Sequence, residues 1–254
     1  MNIKNKIAVV TGGSRGLGRE MAINIAKKGL DVVLTYHKNQ TAADDVVKEI
    51  TSTGRKAKAL QLDTSDVKSF QPFEARLSST LKFEYGTTRF DYLINNAGTG
   101  VYGSVAETTE ETFDNMLNIH FKGVYFLSQK MLPLLNDGGG IINISSGLTR
   151  TCFPNVSAYA CMKGAIETYT KCLAKELGLR KITANVVAPG AIATDFGGGS
   201  NKHNEEKRKA IASMTALGRV GEPEDVGAVV AFLCTAEAGW INGQRIELSG
   251  GMAL

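Results

Sequence analysis

Short apolar runs rich in β-branched residues recur along the chain, at Ile7 to Thr11, Val32 to Tyr36, Ala57 to Asp63, Tyr92 to Asn95, Ile141 to Ser145, Thr183 to Ala188 and Gln244 to Leu248. Helix-length segments separate them, near Leu17 to Lys28, Ala42 to Thr53, Val67 to Glu84, Glu110 to Leu135, Ala158 to Leu179 and Pro223 to Leu233. Strands that alternate with helices predict an α/β fold, a doubly wound parallel sheet of seven strands with helices on both faces. Ligands of such sheets gather beyond the carboxyl ends of the strands. Gly12, Asn96, Ser146 and Pro189 each follow a strand there. No repeat, low-complexity tract or linker divides the 254 residues, which read as a single domain, 1–254.

Composition narrows the function classes. Hydrophobic residues at 43% and charged residues at 21% fit an ordinary packed core. No apolar run approaches the roughly 18 residues of a membrane helix, and the stretch Ile7 to Val10 is too short for a signal core, so a cytoplasmic location is expected. The net charge of +4 is mild. Its cations are scattered or interleaved with acids, as in Lys202 to Lys209, which argues against nucleic-acid binding. Cys152, Cys161, Cys172 and Cys234 match no metal or redox spacing and read as reduced thiols; no metal is expected.

Two constellations carry chemistry. Tyr159 and Lys163 stand four residues apart, hence on one helix face, and Ser146 lies thirteen positions upstream of the tyrosine. An ammonium beside a phenol favours the phenolate and would lower its pKa from about 10 toward the range of an acid/base catalyst. A serine hydroxyl could hold the substrate oxygen. Taken alone, such a pair is common on helices. The second constellation is a buried strand running into Gly12-Gly13-Ser14-Arg15-Gly16-Leu17-Gly18 at the start of a helix. Glycines there permit a tight turn and close approach of a pyrophosphate to the free amides of the helix N-terminus. At the end of the second strand no acid is available to bind a ribose 2′-hydroxyl; the chain reads Tyr36-His37-Lys38, and Arg15 adds a guanidinium. These cations suit a 2′-phosphate, so NADP (NADPH) is predicted over NAD.

The spacing Thr11-Gly12-x-x-x-Gly16-x-Gly18 together with Tyr159-x-x-x-Lys163 resembles the short-chain dehydrogenase/reductase family. Leu62-Asp63, Asn95-Asn96-Ala97-Gly98, Ser145-Ser146, Asn185 to Gly190 with Thr194, Gly218-Arg219 and Gly243-Gln244 follow in family order, so the resemblance spans the chain. It looks closest to 3-oxoacyl-carrier-protein reductases and glucose-dehydrogenase-like members. The resemblance implies a Rossmann fold, and cofactor contacts from Gly12, Ser14, Arg15, Gly16, Leu17, Gly18, His37, Lys38, Asp63, Thr64, Asn96, Gly98, Tyr159, Lys163, Pro189, Gly190, Ile192 and Thr194. Asp63 would reach the adenine, its alternative being a helix cap. Asn95 would be a structural hydrogen-bonder. Ser146 would polarise a carbonyl, Tyr159 protonate it, and Lys163 lower the tyrosine pKa while holding the ribose. Ser145 is the rival to Ser146.

One departure concerns the asparagine that family members carry three residues before a glycine of the central helix. Gly123 is preceded at that spacing by His120. Asn118 is rotated from it by about 200° on a regular helix. His120 is a candidate for the proton relay, with the further expectation that its charge changes near neutrality; the alternative is a space-filling histidine. Phe196 to Thr215, opening on glycines, is expected to form a mobile substrate lid ending in a small helix. Leu148, Cys152, Phe153 and Val156 could line the pocket or the core.

Three functions follow. The leading one is NADPH-dependent reduction of a ketone or 3-oxoacyl thioester, with Lys122, Lys130 or Arg150 as candidate contacts for an acyl carrier protein. The second is oxidation of a secondary alcohol or sugar by the same residues. The third is a quiet dinucleotide sensor or scaffold. The resemblance also implies a homo-oligomer, a tetramer or dimer.

Overall fold

The computed structural model describes residues 5–254. Seven parallel strands form one sheet: β1 (Ile7–Val10), β2 (Asp31–Tyr36), β3 (Ala57–Gln61), β4 (Phe90–Asn95), β5 (Leu135–Ile144), β6 (Thr183–Pro189) and β7 (Arg245–Leu248). Their spatial order is β3-β2-β1-β4-β5-β6-β7. The order reverses between β1 and β4, and that junction is where a doubly wound sheet opens a crevice for ligands.

The helices are α1 (Gly16–Lys27), α2 (Gln40–Ser52), α3 (Phe70–Tyr85), α4 (Glu110–Leu117), α5 (Gly123–Met131), α6 (Ser157–Glu176), α7 (Ser200–His203), α8 (Glu205–Ser213) and α9 (Pro223–Leu233). Alternation along β1 divides the core. Ala8 and Val10 face Met21 and Ile25 of α1, Val46 and Ile50 of α2, and Val226 and Val230 of α9. Ile7 and Val9 face Phe70, Phe73, Leu77 and Leu81 of α3, Leu127 and Met131 of α5, and Leu173 of α6. Both faces of the central strands are buried, which explains their near-continuous apolar runs.

Two segments differ from the sequence expectation. The helix expected to reach Leu135 ends at Met131, because Leu135 already pairs with Phe90 and opens β5; the register then shifts to Tyr92 opposite Gly140. The central helix is also not continuous α. Residues Asn118–Lys122 form a π-helical turn between α4 and α5, closed by the Gly123 amide donating to the Asn118 carbonyl. A Cβ at Gly123 would lie 2.0 Å from the Thr64 carbonyl oxygen, so glycine lets this wide turn press against the loop after β3.

Beneath the crevice, Asn95 Nδ2 donates to Ser128 Oγ (3.0 Å) and to Asn143 Oδ1 (2.7 Å), and Asn143 Nδ2 donates to Thr170 Oγ1 (2.9 Å). Asn95 is thus the structural hydrogen-bonder expected of it. It ties β4 and β5 to α5 and α6 in an interior where unpaired polar groups are expensive.

Candidate active site

The glycine turn is shaped from behind by the end of β4. Thr11 Oγ1 donates to the Ile94 carbonyl (3.2 Å) and accepts the amides of Asn96 (2.9 Å) and Ala97 (3.0 Å). Asn96 Nδ2 donates to the carbonyls of Thr11 (2.9 Å) and Gly12 (3.2 Å). Gly12 has φ +65°, and a Cβ at Gly18 would lie 2.1 Å from the Gly12 carbonyl oxygen, a separation that backbone atoms cannot relieve. Arg15, the N-cap of α1, places no side-chain cap on the helix, which leaves first-turn amides for an anion. The cradle fits a dinucleotide pyrophosphate.

At the ends of β2 and β3 the expected cations meet one acid. Arg15, His37 and Lys38 are exposed. His37 Nε2 lies 3.5 Å from Asp63 Oδ2, while Asp63 Oδ1 accepts the Ser65 amide (2.9 Å) and hydroxyl (2.7 Å). Burial pushes the Asp63 carboxyl up, but the Ser65 hydrogen bonds and the charges of His37 and Lys38 together hold it below the carboxylate range. The helix-cap role falls to Asp66, which accepts the Lys68 amide (2.9 Å). On the opposite side, Pro189 ends β6, the Gly190 amide donates to the Leu248 carbonyl (3.0 Å), and Ile192 bridges to Gly221. Thr194 faces Gly16, with its Cβ and Cγ2 each 3.7 Å from where a Cβ on that glycine would lie. The two loops therefore stand together.

Ser146, Tyr159, Lys163 and His120 are all buried and converge. Ser146 follows β5, its Oγ accepts the Leu148 amide (3.2 Å), and it stands near enough to the Tyr159 phenol to favour its ionised form. Lys163 Nζ sits 5.5 Å from the Tyr159 ring centroid and donates to the Ile144 carbonyl (2.8 Å). The His120 ring stands edge-on to Tyr159, with centroids 5.0 Å apart and planes at 85°. Ser145 is engaged elsewhere, donating to Glu167 Oε1 (2.8 Å), which separates it from its neighbour.

Two electrostatic expectations are corrected. In this site the phenol is not lowered by the ammonium: burial, reinforced by Tyr102, raises the Tyr159 pKa against the effect of Ser146, and burial brings Lys163 itself down to about 7. Nor does His120 titrate near neutrality. Burial first, and the Lys163 charge second, push it down to about 3, against the Thr99 backbone bond. Its Nε2 lies 2.7 Å from the Thr99 carbonyl oxygen, so that nitrogen carries the hydrogen. Nδ1 is then a bare acceptor, buried without a partner among the described residues, with Gly98 beside it.

The roof of this site joins Phe196, the first residue of the segment expected as a lid, to Tyr102, to which the sequence did not point. The Phe196 ring lies 5.8 Å from Tyr159, and a Cβ at Gly100 would lie 2.8 Å from Phe196 Cε1 and 3.2 Å from the Tyr102 hydroxyl. Tyr102 sits in an aperiodic loop, so no pattern could have singled it out. Leu148 packs with Met116, Tyr159 and Met162, and Val156 is buried, whereas Cys152 and Phe153 are exposed. Of the basic residues considered for a carrier protein, Arg150 pairs with Glu247 (2.6 Å), Lys130 donates to Gln71 (2.6 Å), and Lys122 is exposed. No helix among the described residues is long and apolar enough to cross a membrane.

Comparison with known proteins agrees with this geometry. A family model described as enoyl-(acyl carrier protein) reductase matches residues 12–253. The hydroxynaphthalene reductase-like protein Arp2 of Metarhizium brunneum is 36% identical over 261 residues, covering 98% of this chain and 96% of that protein. Among solved structures, the promiscuous reductase LugOII, which catalyses keto-reduction at C1 during lugdunomycin biosynthesis, superposes with a TM-score of 0.94 at 38% identity over 100% of both chains. The angucycline C-6 ketoreductase LanV with bound NADP gives 0.93 at 36% identity, over 98% of this chain and 95% of its own. With the glycine cradle and the Ser146, Tyr159 and Lys163 cluster at the carboxyl ends of the strands, these matches show that the chain belongs to the short-chain dehydrogenase/reductase family and is an NAD(P)-dependent oxidoreductase.

Proposed function

We propose that this enzyme uses NADPH to reduce a ketone on a flat, aromatic substrate, with Tyr159 as the proton donor. The observation that carries the reading is the buried Tyr159 phenol, set beside Ser146 and Lys163 and roofed by Phe196. A phenol whose pKa is raised by burial keeps its proton at neutrality, the state an acid needs when a carbonyl oxygen gains negative charge. By microscopic reversibility the same phenol would take the proton back in alcohol oxidation, so reduction is set ahead of the dehydrogenase direction by the relatives named for keto-reduction. A quiet sensor would have no use for a proton donor at this position.

NADPH, when bound, supplies the hydride. The chain's part is to place and polarise. Ser146 Oγ donates to the carbonyl oxygen, Tyr159 Oη delivers its proton there, and Lys163 would hold the ribose hydroxyls. Neutral His120 offers Nδ1 as the acceptor through which the relay continues from Lys163. Gly12, Ser14, Gly16, Leu17 and Gly18 would hold the pyrophosphate, Asp63 and Thr64 the adenine, and Asn96 and Gly98 the ribose. Pro189, Gly190, Ile192 and Thr194 would hold the nicotinamide. Arg15, His37 and Lys38 would clasp the 2′-phosphate and favour NADPH over NADH. Residues 196–215 would close over the substrate.

The aromatic substrate class is supported by the Phe196 ring on the phenol, with Tyr102 against the neighbouring Gly197, and by relatives named for hydroxynaphthalene and angucycline reduction. A 3-oxoacyl thioester is the weaker reading, since Arg150 and Lys130 are already engaged. A panel comparing 1-tetralone, a linear 3-oxoacyl thioester and an aliphatic ketone, each with NADPH and NADH, tests this. We expect the bicyclic ketone with NADPH to give the highest kcat/KM; equal efficiency with NADH, or preference for the thioester, would overturn the respective assignment.

A further inference from the structure

Behind the Ser146 turn lies an ion-pair cluster to which none of the family motifs assigns a role. Glu167, one turn beyond Lys163 on α6, accepts from Ser145 Oγ (2.8 Å), Thr149 Oγ1 (2.7 Å) and Arg245 Nε (2.8 Å), all at Oε1. Arg245, at the start of β7, also reaches the carbonyl oxygen of Ser146 (3.2 Å), Thr149 Oγ1 (3.1 Å) and Glu247 Oε2 (3.0 Å). Glu247 in turn holds Arg150 (2.6 Å). The Glu167 and Arg245 side chains are only 18% and 17% exposed.

The pattern is specific in what it grips. Four consecutive landmarks of one turn, Ser145 Oγ, the Ser146 carbonyl, Thr149 Oγ1 and the Arg150 guanidinium, are tied to α6 on one side and β7 on the other. The helix that carries Glu167 also carries Tyr159 and Lys163. The guanidinium bonds Glu167 through Nε, the Ser146 carbonyl through Nη2 and Glu247 through Nη1; a lysine carries its three hydrogens on one nitrogen and cannot span the three partners in this fork geometry. Burial alone would raise the Glu167 carboxyl, yet the hydrogen bonds from Thr149, Arg245 and Ser145 together hold it below the carboxylate range, so the pair is ionised at neutrality.

We propose that Glu167 and Arg245 are positioning residues that fix the Ser146 hydroxyl relative to the Tyr159 phenol by bracing the backbone of the Ser146 turn against α6. The proposal rests on the assigned role of Ser146 in carbonyl reduction. It makes β7, remote in sequence from every catalytic residue, part of the machinery that sets carbonyl geometry.

The test is a double-mutant cycle on the full-length enzyme, with NADPH and 1-tetralone as probes: wild type, R245M, S146A and R245M/S146A, each with kcat, KM for the ketone and the NADPH dissociation constant from nucleotide fluorescence. Misplacing a reacting group by about 1 Å can lower turnover by about 100-fold, so R245M is expected to lower kcat by about 10- to 100-fold while NADPH affinity changes by less than about twofold. In the S146A background the same substitution is expected to change kcat by less than about twofold, because the group it positions is gone. R245K should fall with R245M. An equal drop in both backgrounds, or full kcat in R245M, overturns the brace and leaves the catalytic reading of Ser146 intact. S146A turnover equal to wild type instead removes that reading, and the brace with it. Should R245M fail to fold, the isosteric E167Q takes its place in the cycle with the same expectations.

Discussion

Burial acts in opposite directions on the acid and the bases of this site. It raises the Tyr159 phenol and lowers Lys163 to about 7 and His120 to about 3, so all three groups are drawn toward their neutral forms. The lysine makes a stability prediction. The unfolded chain holds its proton up to the ordinary value of 10.5, whereas the folded chain releases it near 7. Between those values the unfolded state binds more protons, so stability rises with pH across that window, and below pH 7 the full penalty of the buried cation is present. Lys163→Met should therefore raise the melting temperature of the protein alone at pH 6, by about 2–4 °C for each kcal/mol of penalty removed in a chain of this length, a gain that shrinks toward pH 10 while activity is lost. Differential scanning fluorimetry across pH checks this; a lower melting temperature at pH 6 would contradict it. For His120, we expect His120→Ala to lower kcat by about 10-fold without altering the shape of the pH profile between about pH 5 and 8, because the imidazole is already neutral there. Full turnover would reduce it to a space-filler. Identity and spacing made Ser146, Tyr159 and Lys163 legible in the sequence, but not their protonation, which depends on how much chain closes over them.

The elements differ in how well their residues announced them. β1 and α9 follow from apolar period and from Pro223 at a helix start, and their bounds match the sequence reading closely. The π-helical turn Asn118–Lys122 leaves no such trace, since no pattern of apolar residues marks a single wide turn. Its consequence falls on His120, carried at the centre of that turn, and on Gly123, which meets the Thr64 carbonyl. Adding one methyl there forces backbone against backbone, so Gly123→Ala should destabilise the enzyme by about 1–3 kcal/mol, read from urea unfolding. Because the Thr64 loop flanks the proposed adenine site, NADPH affinity should weaken as well. An unchanged midpoint would show that the turn can relax. The early start of β5 was likewise hidden, since Leu135 pairs with Phe90 across a register shift that only the neighbouring strand defines.

At the scale of the whole molecule, sheet order gathers residues from distant parts of the chain beyond the carboxyl ends of its central strands. Motif order along the sequence made the glycine cradle, Asn96, Ser146 and Thr194 legible as one site. The contacts of Tyr102 with the lid and of Arg245 with the Ser146 turn were not, because nothing local records a long-range pairing of a loop or a final strand. The exposed cations Arg15 and Lys38 make a molecular-scale prediction. Arg15→Ala/Lys38→Ala should raise KM for NADPH by about 10- to 100-fold, leave NADH unaffected, and lose part of its effect at high salt. Parallel changes with both nucleotides would place those residues outside the phosphate site. The central claim, that Tyr159 donates the proton in NADPH-dependent ketone reduction, is tested most directly by Tyr159→Phe, assayed for 1-tetralone turnover beside its NADPH dissociation constant. We predict a loss of at least about 100-fold in kcat with NADPH binding preserved; turnover close to wild type with nucleotide bound would contradict the account.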